Sequence, residues 1–185
     1  MDVHTAIETR RAFRSLAPFP IDEDLVRDLA RHAQLAPSCS NNQPWRYVFV
    51  YEPAAVAAMR PVFSQANGWC HAASMIIAVF SRKEDDCLRE GREYHQFDTG
   101  LATAFLILRA TELGLVAHPI AGFDAARARD ILNIPDIYQV ITLVLVGKHA
   151  VAISPALTPQ QAASESVRPE RFPREKFVFL NKYSG

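Results

Sequence analysis

This sequence predicts one domain of helices packed on a β-sheet, and three observations carry that reading. Half of the 185 residues are hydrophobic and no low-complexity block interrupts them, which is enough for one buried core and short for two. Apolar residues recur at helical spacing in several segments, above all 22–35 and 98–113. Between the helical segments lie apolar runs of strand length at 46–51, 74–80, 116–120 and 138–147. Such alternation by itself points to a doubly wound parallel sheet, but periodicity does not fix strand order.

The elements follow in order. Residues 3–8 read as a short helix leading into Arg10-Arg11-Ala12-Phe13-Arg14. The helix over 22–35 has Asp22 as its N-cap. A strand covers 46–51, and a helix over 54–63 bends at Pro61. The unbroken apolar run 74–80 predicts a buried strand, and the charged stretch 81–91 a surface connection. The longest helix, 98–113, is apolar around much of its circumference and must be buried on more than one face, with Asp98 as its cap. A short strand over 116–120, a helix over 124–132 stopped near Pro135, and a strand over 138–147 complete the periodic part. Residues 148–185 are proline-punctuated and aperiodic, with little reason to pack on their own chain alone.

Composition excludes several functions. Lys plus Arg equals Asp plus Glu at 20 each, so the chain lacks the basic excess of a nucleic-acid or membrane-surface binder. No apolar run reaches membrane-spanning length, and the N-terminus is amphipathic rather than signal-like. The three cysteines, Cys39, Cys70 and Cys87, have neither metal-ligand spacing nor the pattern of a disulfide framework, which fits the cytoplasm.

Chemistry concentrates in two places. The stretch Ala36-Pro37-Ser38-Cys39-Ser40-Asn41-Asn42-Gln43-Pro44-Trp45 is a polar loop delivered to the start of a strand. The amides of Asn41 and Gln43 carry donors and acceptors able to read a heterocycle, or else cap their own turn. The second place is the trio Arg10, Arg11 and Arg14, where Arg10 and Arg14 share a face if the segment is helical. The seven glycines include no phosphate-binding glycine loop, so an anion must be held by side chains. Arginine's planar fork suits a phosphate. No base accompanies Cys39 in sequence, which argues against a nucleophilic cysteine.

The pattern Arg10-Arg11-x-x-Arg14 followed by Pro37-Ser38-x-x-Asn41-x-Gln43-Pro44-Trp45 resembles the nitroreductase family of flavin enzymes. The segment from Asp98-Thr99-Gly100 to Leu113-Gly114-Leu115, then Pro119-Ile120-Ala121-Gly122-Phe123, is similar to that family's central helix and the turn after it. The resemblance implies an α+β fold: a mixed, largely antiparallel sheet wrapped by helices, with the C-terminal tail 148–185 extending over a dimer partner. It implies one FMN-binding domain over 1–185 and a homodimer that takes hydride from NADH or NADPH and passes it through flavin N5 to an electron-poor small molecule. Arg10, Arg11, Ala12, Arg14 and Arg171 would then surround the phosphate, with Ala12 standing where relatives carry serine. Pro37, Ser38, Cys39, Asn41 and Gln43 would reach the flavin from the neighbouring subunit. Asn67 would touch its pyrimidine end, and the Ile120, Ala121 and Gly122 backbone would face N5 and O4. Alternatives within the same resemblance are a non-enzymatic flavin module, or use of the flavin for dehalogenation or for its own destruction. The connection 81–91 is short for the lid that those last two need.

Overall fold

The computed structural model describes all 185 residues. Its helices are Val3–Thr9 (α1), Glu23–Gln34 (α2), Pro53–Ala58 (α3), His95–Glu112 (α4), Ala125–Leu132 (α5) and Pro159–Ser166 (α6). Its strands are Leu16–Ala17 (β1), Arg46–Val50 (β2), Met75–Ser81 (β3), Leu88–Arg89 (β4), Arg92–Glu93 (β5), Val116–Ile120 (β6) and Gln139–His149 (β7). The long β7 organises the main sheet. One edge of it pairs with β3, which pairs in turn with β2; β6 and β1 pair with β7 as well, at successive stretches. Every ladder is antiparallel, so the parallel sheet suggested by simple alternation does not form.

Both faces of the sheet are covered, which is why β3 is buried at all its positions. Its residues alternate between two cores, as the two-residue repeat of a strand requires. Ile76, Ala78 and Phe80 join Met59, Val62, Trp69, Ala128, Leu143 and Leu145 on one face. Met75, Ile77 and Val79 pack with Leu29, Ala33, Leu106, Ala110, Val144 and Val146 under α2 and α4 on the other. Each large aliphatic side chain buried in this way stabilises the fold by about 1.5–3 kcal/mol.

Caps behave as their chemistry dictates. Asp22 accepts from Leu25 N at 2.8 Å, and Asp124 accepts from Arg127 N at 3.0 Å. Asn133, at φ 52°, closes α5 in the left-handed conformation that Asn tolerates. Several expectations need correction. Asp98 does not cap α4, because the helix starts three residues earlier at His95, and Asp98 lies buried in its first turn. Arg10 follows the last residue of α1, and 10–15 is not helical, so no shared helix face pairs Arg10 with Arg14. The charged connection after β3 contains the β4–β5 hairpin, turned by Glu90 and Gly91 at φ 54° and 80°.

Two corrections bear on function. Pro159–Ser166 form α6, with a capping box between the N-cap Thr158 and Gln161, and it packs on its own chain. Its buried Glu165 carboxylate accepts from Arg14 N at 2.8 Å and Ser15 N at 3.0 Å. The aperiodic composition hid this, because the tail is held by polar contacts rather than by an apolar stripe. Cys39 and Cys87 also form a disulfide, with Cα atoms 5.9 Å apart and a sequence separation of 48. Scattered spacing concealed the pair, which meets only because the loop before β2 folds against the segment after β3.

Candidate functional site

The arginines gather at a cavity of about 160 Å³, lined by Arg10, Arg11, Ala12, Arg14, Ser164, Arg168, Pro169 and Arg171. Arg11 is fixed by the Ser164 carbonyl at 2.6 Å and lies over the Phe13 ring. Arg14 donates to Ser164 Oγ at 3.2 Å and lies over Trp69. Arg168 reaches back to the carbonyls of Glu8 and Arg10, and so ties the segment after α6 to the end of α1. The Arg10 guanidinium makes no hydrogen bond or ion pair within the chain. Burial, and then the charges of Arg168 and Arg171, hold its pKa below the usual arginine value. The carboxylate beside the cavity, Glu165, is turned toward backbone N–H groups. Burial pushes its pKa up, but the bonds from Arg14 N and Ser15 N outweigh this and leave it lowered. Positive charge thus collects here without a neutralising side chain, and an anion completes such an arrangement.

An unbroken set of contacts runs from this cavity to the turn after β6. Trp69, beneath Arg14, packs against His118 with ring centroids 4.8 Å apart. His118 Nδ1 lies 3.0 Å from the Phe13 carbonyl, while burial lowers its pKa and favours the neutral ring. Trp69 Nε1 donates to Asn67 Oδ1 at 3.2 Å, and Asn67 Nδ2 donates to Gly122 O at 2.8 Å. Both ends of the Asn67 amide are therefore used in fixing the 120–122 turn. Glycine at 122 leaves room for the Asn67 amide: its φ is not positive, but a Cβ there would lie 2.5 Å from Asn67 Nδ2 and force that amide to move. Neither Ala121 N–H nor Gly122 N–H donates to another group of the chain, so two successive backbone donors stand free beside Ile120.

This geometry sets a direct expectation. Gly122→Ala should displace the Asn67 amide and cost about 1–3 kcal/mol of stability through its broken bonds. In an Asn67→Ala background, where those bonds are already absent, Gly122→Ala should cost little more. Thermal unfolding of the two single variants and the double variant checks it; losses that simply add would show that Asn67 is not the group displaced.

The loop 37–43 lies elsewhere. Ser38 Oγ accepts from Gln43 N at 3.0 Å, and Gln43 Nε2 donates to the Asn41 carbonyl at 3.2 Å. Ser40, Asn41 and Gln43 all hold left-handed backbone, with φ between 51° and 58°. The loop is tied to α4 by the Asp98 carboxylate, which accepts from Cys39 N at 2.6 Å. Burial first, and then the charge of nearby Asp86, push the Asp98 pKa up. No hydrogen bond joins residues 37–43 to the arginine cavity within the chain.

Of the residues singled out in sequence, the structure brings Arg10, Arg11, Ala12, Arg14 and Arg171 together. It joins Asn67 to Gly122 beside Ile120 and Ala121. It keeps Pro37, Ser38, Cys39, Asn41 and Gln43 in a separate group, where the Gln43 amide caps its own turn. Sequence reasoning missed Ser164 and Glu165, which carry no motif, and gave Arg168 no place in the site. An adjacent Ser-Glu pair or an Arg in a polar stretch gives no signal of what it meets 150 residues away.

The fold and sequence have known relatives. A curated relative, an NADH dehydrogenase from Thermus thermophilus, is 27% identical over 179 residues, covering 80% of this chain and 86% of its own. A crystal structure described as an oxidoreductase containing FMN superposes with a TM-score of 0.82 at 26% identity, covering 100% of this chain and 93% of its own. A nitroreductase family protein from Clostridium difficile 630 shares the fold, with a TM-score of 0.79 at 22% identity over 99% of this chain and 100% of its own. The model of the Nitroreductase family matches residues 7–68 and 62–148, which take in the first arginine cluster, the polar loop, Asn67 and the 120–122 turn, and the chain belongs to that family.

Proposed function

We propose that this chain is an FMN-dependent oxidoreductase, working as a cytoplasmic homodimer that carries hydride from NADH or NADPH to an electron-poor small molecule such as a nitroaromatic, quinone or enone. The observation that carries the reading is the un-neutralised arginine cavity joined, through Trp69 and Asn67, to two free backbone N–H groups. The arginines fit the phosphate of FMN, and the free donors fit a polar ring edge that gains negative charge. FMN, when bound, supplies the redox chemistry.

The protein's own residues then have defined tasks. Arg10 and Arg14 neutralise the phosphate, Arg171 closes the cavity, and the Ser164 hydroxyl, which donates to the Gln161 carbonyl at 2.6 Å, accepts from Arg14 and holds it in place. Ala121 N–H and Gly122 N–H stabilise charge on the ring, and Asn67 holds their turn in place. The loop 37–43 serves a second site across the dimer axis, which accounts for its separation from the arginines within one chain. Exposed apolar residues support the dimer: Val3 and Ile7 on α1, Phe97 and Phe105 on α4, and Phe172, Leu180 and Tyr183 in the tail. No helix is long and apolar enough to cross a membrane.

The purified protein is expected to absorb as a flavoprotein and to release FMN rather than FAD on denaturation. With menadione or nitrofurazone as acceptor, oxidation of NADH or NADPH should give parallel double-reciprocal lines, since donor and acceptor use one ring face in turn. Intersecting lines would refute that shared face. Bound flavin without turnover under either donor would favour a binding module over an enzyme.

A further inference from the structure

The loop 37–43 carries a feature that hydride transfer does not use. Its Cys39 is bonded to Cys87, which sits between β3 and the β4–β5 hairpin. The two sulfurs differ in surroundings. Cys39 is partly exposed, whereas Cys87 is buried. Ser40 Oγ and Asn42 Nδ2 each lie 3.5 Å from Cys87 Sγ. A disulfide sulfur has no proton, so both groups donate to it, and they would stabilise a thiolate there more than a neutral sulfur. Hydrogen bonds to a thiolate lower its pKa and make it a better leaving group. Cys39 is therefore the more accessible of the two residues, and the two donors at Cys87 Sγ oppose the repulsion that the Asp86 carboxylate, within 4.8 Å of both sulfurs, exerts on a thiolate there.

The disulfide also spans segments whose conformation is costly. Three of the loop's residues hold the left-handed backbone that non-glycine residues avoid, and such a conformation persists only where surrounding contacts impose it. Apart from Asp98 on Cys39 N and Arg46 on the Gln43 carbonyl, the contacts that reach out of the loop converge on Cys87 and its neighbour. Asn42 Nδ2 lies 3.3 Å from Asp86 Oδ1 and 3.5 Å from Cys87 Sγ, and Ser40 meets Cys87. Breaking the S–S bond removes the covalent tie on which the weaker ones are assembled.

We propose that Cys39 and Cys87 are a reversible dithiol–disulfide pair, opened by a vicinal dithiol reductant, that sets whether the 37–43 loop is held in its binding conformation. A thiolate of the reductant bonds to Cys39 Sγ, the S–S bond breaks, and its electron pair leaves on Cys87 Sγ. The reductant's second thiolate then displaces Cys39 and closes the reductant's own disulfide. Two electrons pass to the protein, and the two cysteine thiolates take up the two protons the reductant gives up. The same pair answers how a chain expected in a reducing compartment can contain a disulfide: the bond would be an occupied state rather than a permanent brace. The effect on binding rests on the reading of 37–43 as a cofactor contact; the exchange chemistry does not.

The test uses the full chain, oxidised or treated with dithiothreitol, and a Cys87→Ser variant. Alkylation followed by mass spectrometry should find no reactive thiol in the native oxidised protein and two after treatment, at Cys39 and Cys87. Cys70, fully buried, should stay unmodified in both. Hydrogen exchange at 37–43 should rise on reduction and in Cys87→Ser alike. FMN, followed by its fluorescence, should bind roughly three- to tenfold more weakly to both than to the oxidised protein, the cost of re-ordering a loop. Three thiols appearing together, only as the protein unfolds, would overturn the proposal and make the bond a structural cross-link. Equal loop exchange and equal FMN affinity in all three forms would overturn it too. If no form binds FMN, the cofactor reading fails, and loop exchange still decides the switch.

Discussion

Arg10→Ala is expected to weaken FMN binding by roughly tenfold to a hundredfold, the loss of one charge-assisted contact of about 1.5–3 kcal/mol. The same change should leave the stability of the cofactor-free protein unchanged or raised. Both signs come from one fact: the Arg10 guanidinium has no partner in the chain, and burial, then the charges of Arg168 and Arg171, lower its pKa. A structural arginine behaves in the opposite way, because its removal leaves a carboxylate or carbonyl unpaired. Arg14 is the internal control. It donates to Ser164 Oγ and covers Trp69, so Arg14→Ala should lower both FMN affinity and thermal stability. Riboflavin lacks the phosphate and should lose little affinity from Arg10→Ala. Fluorescence titration with both ligands, beside thermal unfolding of the cofactor-free protein, checks the set. Equal losses for FMN and riboflavin would show that Arg10 does not meet the phosphate.

The contrast between these two arginines shows what the sequence could and could not convey. Local rules were legible: Asp22 and Asp124 start their helices, and the apolar run of β3 is buried on both sides, as such a run demands. The arginine cluster was legible because charge of one sign, close in sequence, stays close in space. The start of α4 was not. Asp98 has the chemistry of a cap, but tertiary structure uses its carboxylate to hold Cys39 N, and the helix extends past it to His95. Long-range partners were also hidden. Glu165 meets Arg14 and Ser15 across 150 residues, Cys87 meets Cys39 across 48, and neither distance leaves a periodic trace. Gly122 was legible as part of the turn, but the reason for a glycine there was not. Its backbone needs no positive φ, and the Asn67 amide occupies the space a side chain would fill.

Removing residues 172–185 should weaken the dimer by on the order of a hundredfold and lower FMN affinity with it. The cut is placed by the structure. Ending the chain at 148 would delete Glu165, Ser164 and Arg168, so any loss of FMN binding would follow from a broken phosphate cavity. Ending it after Arg171 keeps the whole cavity and removes a segment whose apolar side chains have little to cover them. Phe172 and Leu180 are each 81% exposed, and Tyr183 is 74% exposed. Side chains of that size are rarely left in water so close together, and a second protomer would bury them. Burying even two of them contributes about 3 kcal/mol or more, which is about a hundredfold in a dissociation constant. In the proposed site the loop 37–43, which makes no hydrogen bond to the arginine cavity of its own chain, serves the cavity of the other protomer. Affinity for FMN should therefore fall as the truncated protein is diluted, while FMN in excess restores the dimer by mass action. Sedimentation and flavin fluorescence on the same dilution series measure both. A truncated monomer that binds FMN as tightly as the intact chain would place the complete site within one protomer and leave the exposed tail without a role in it.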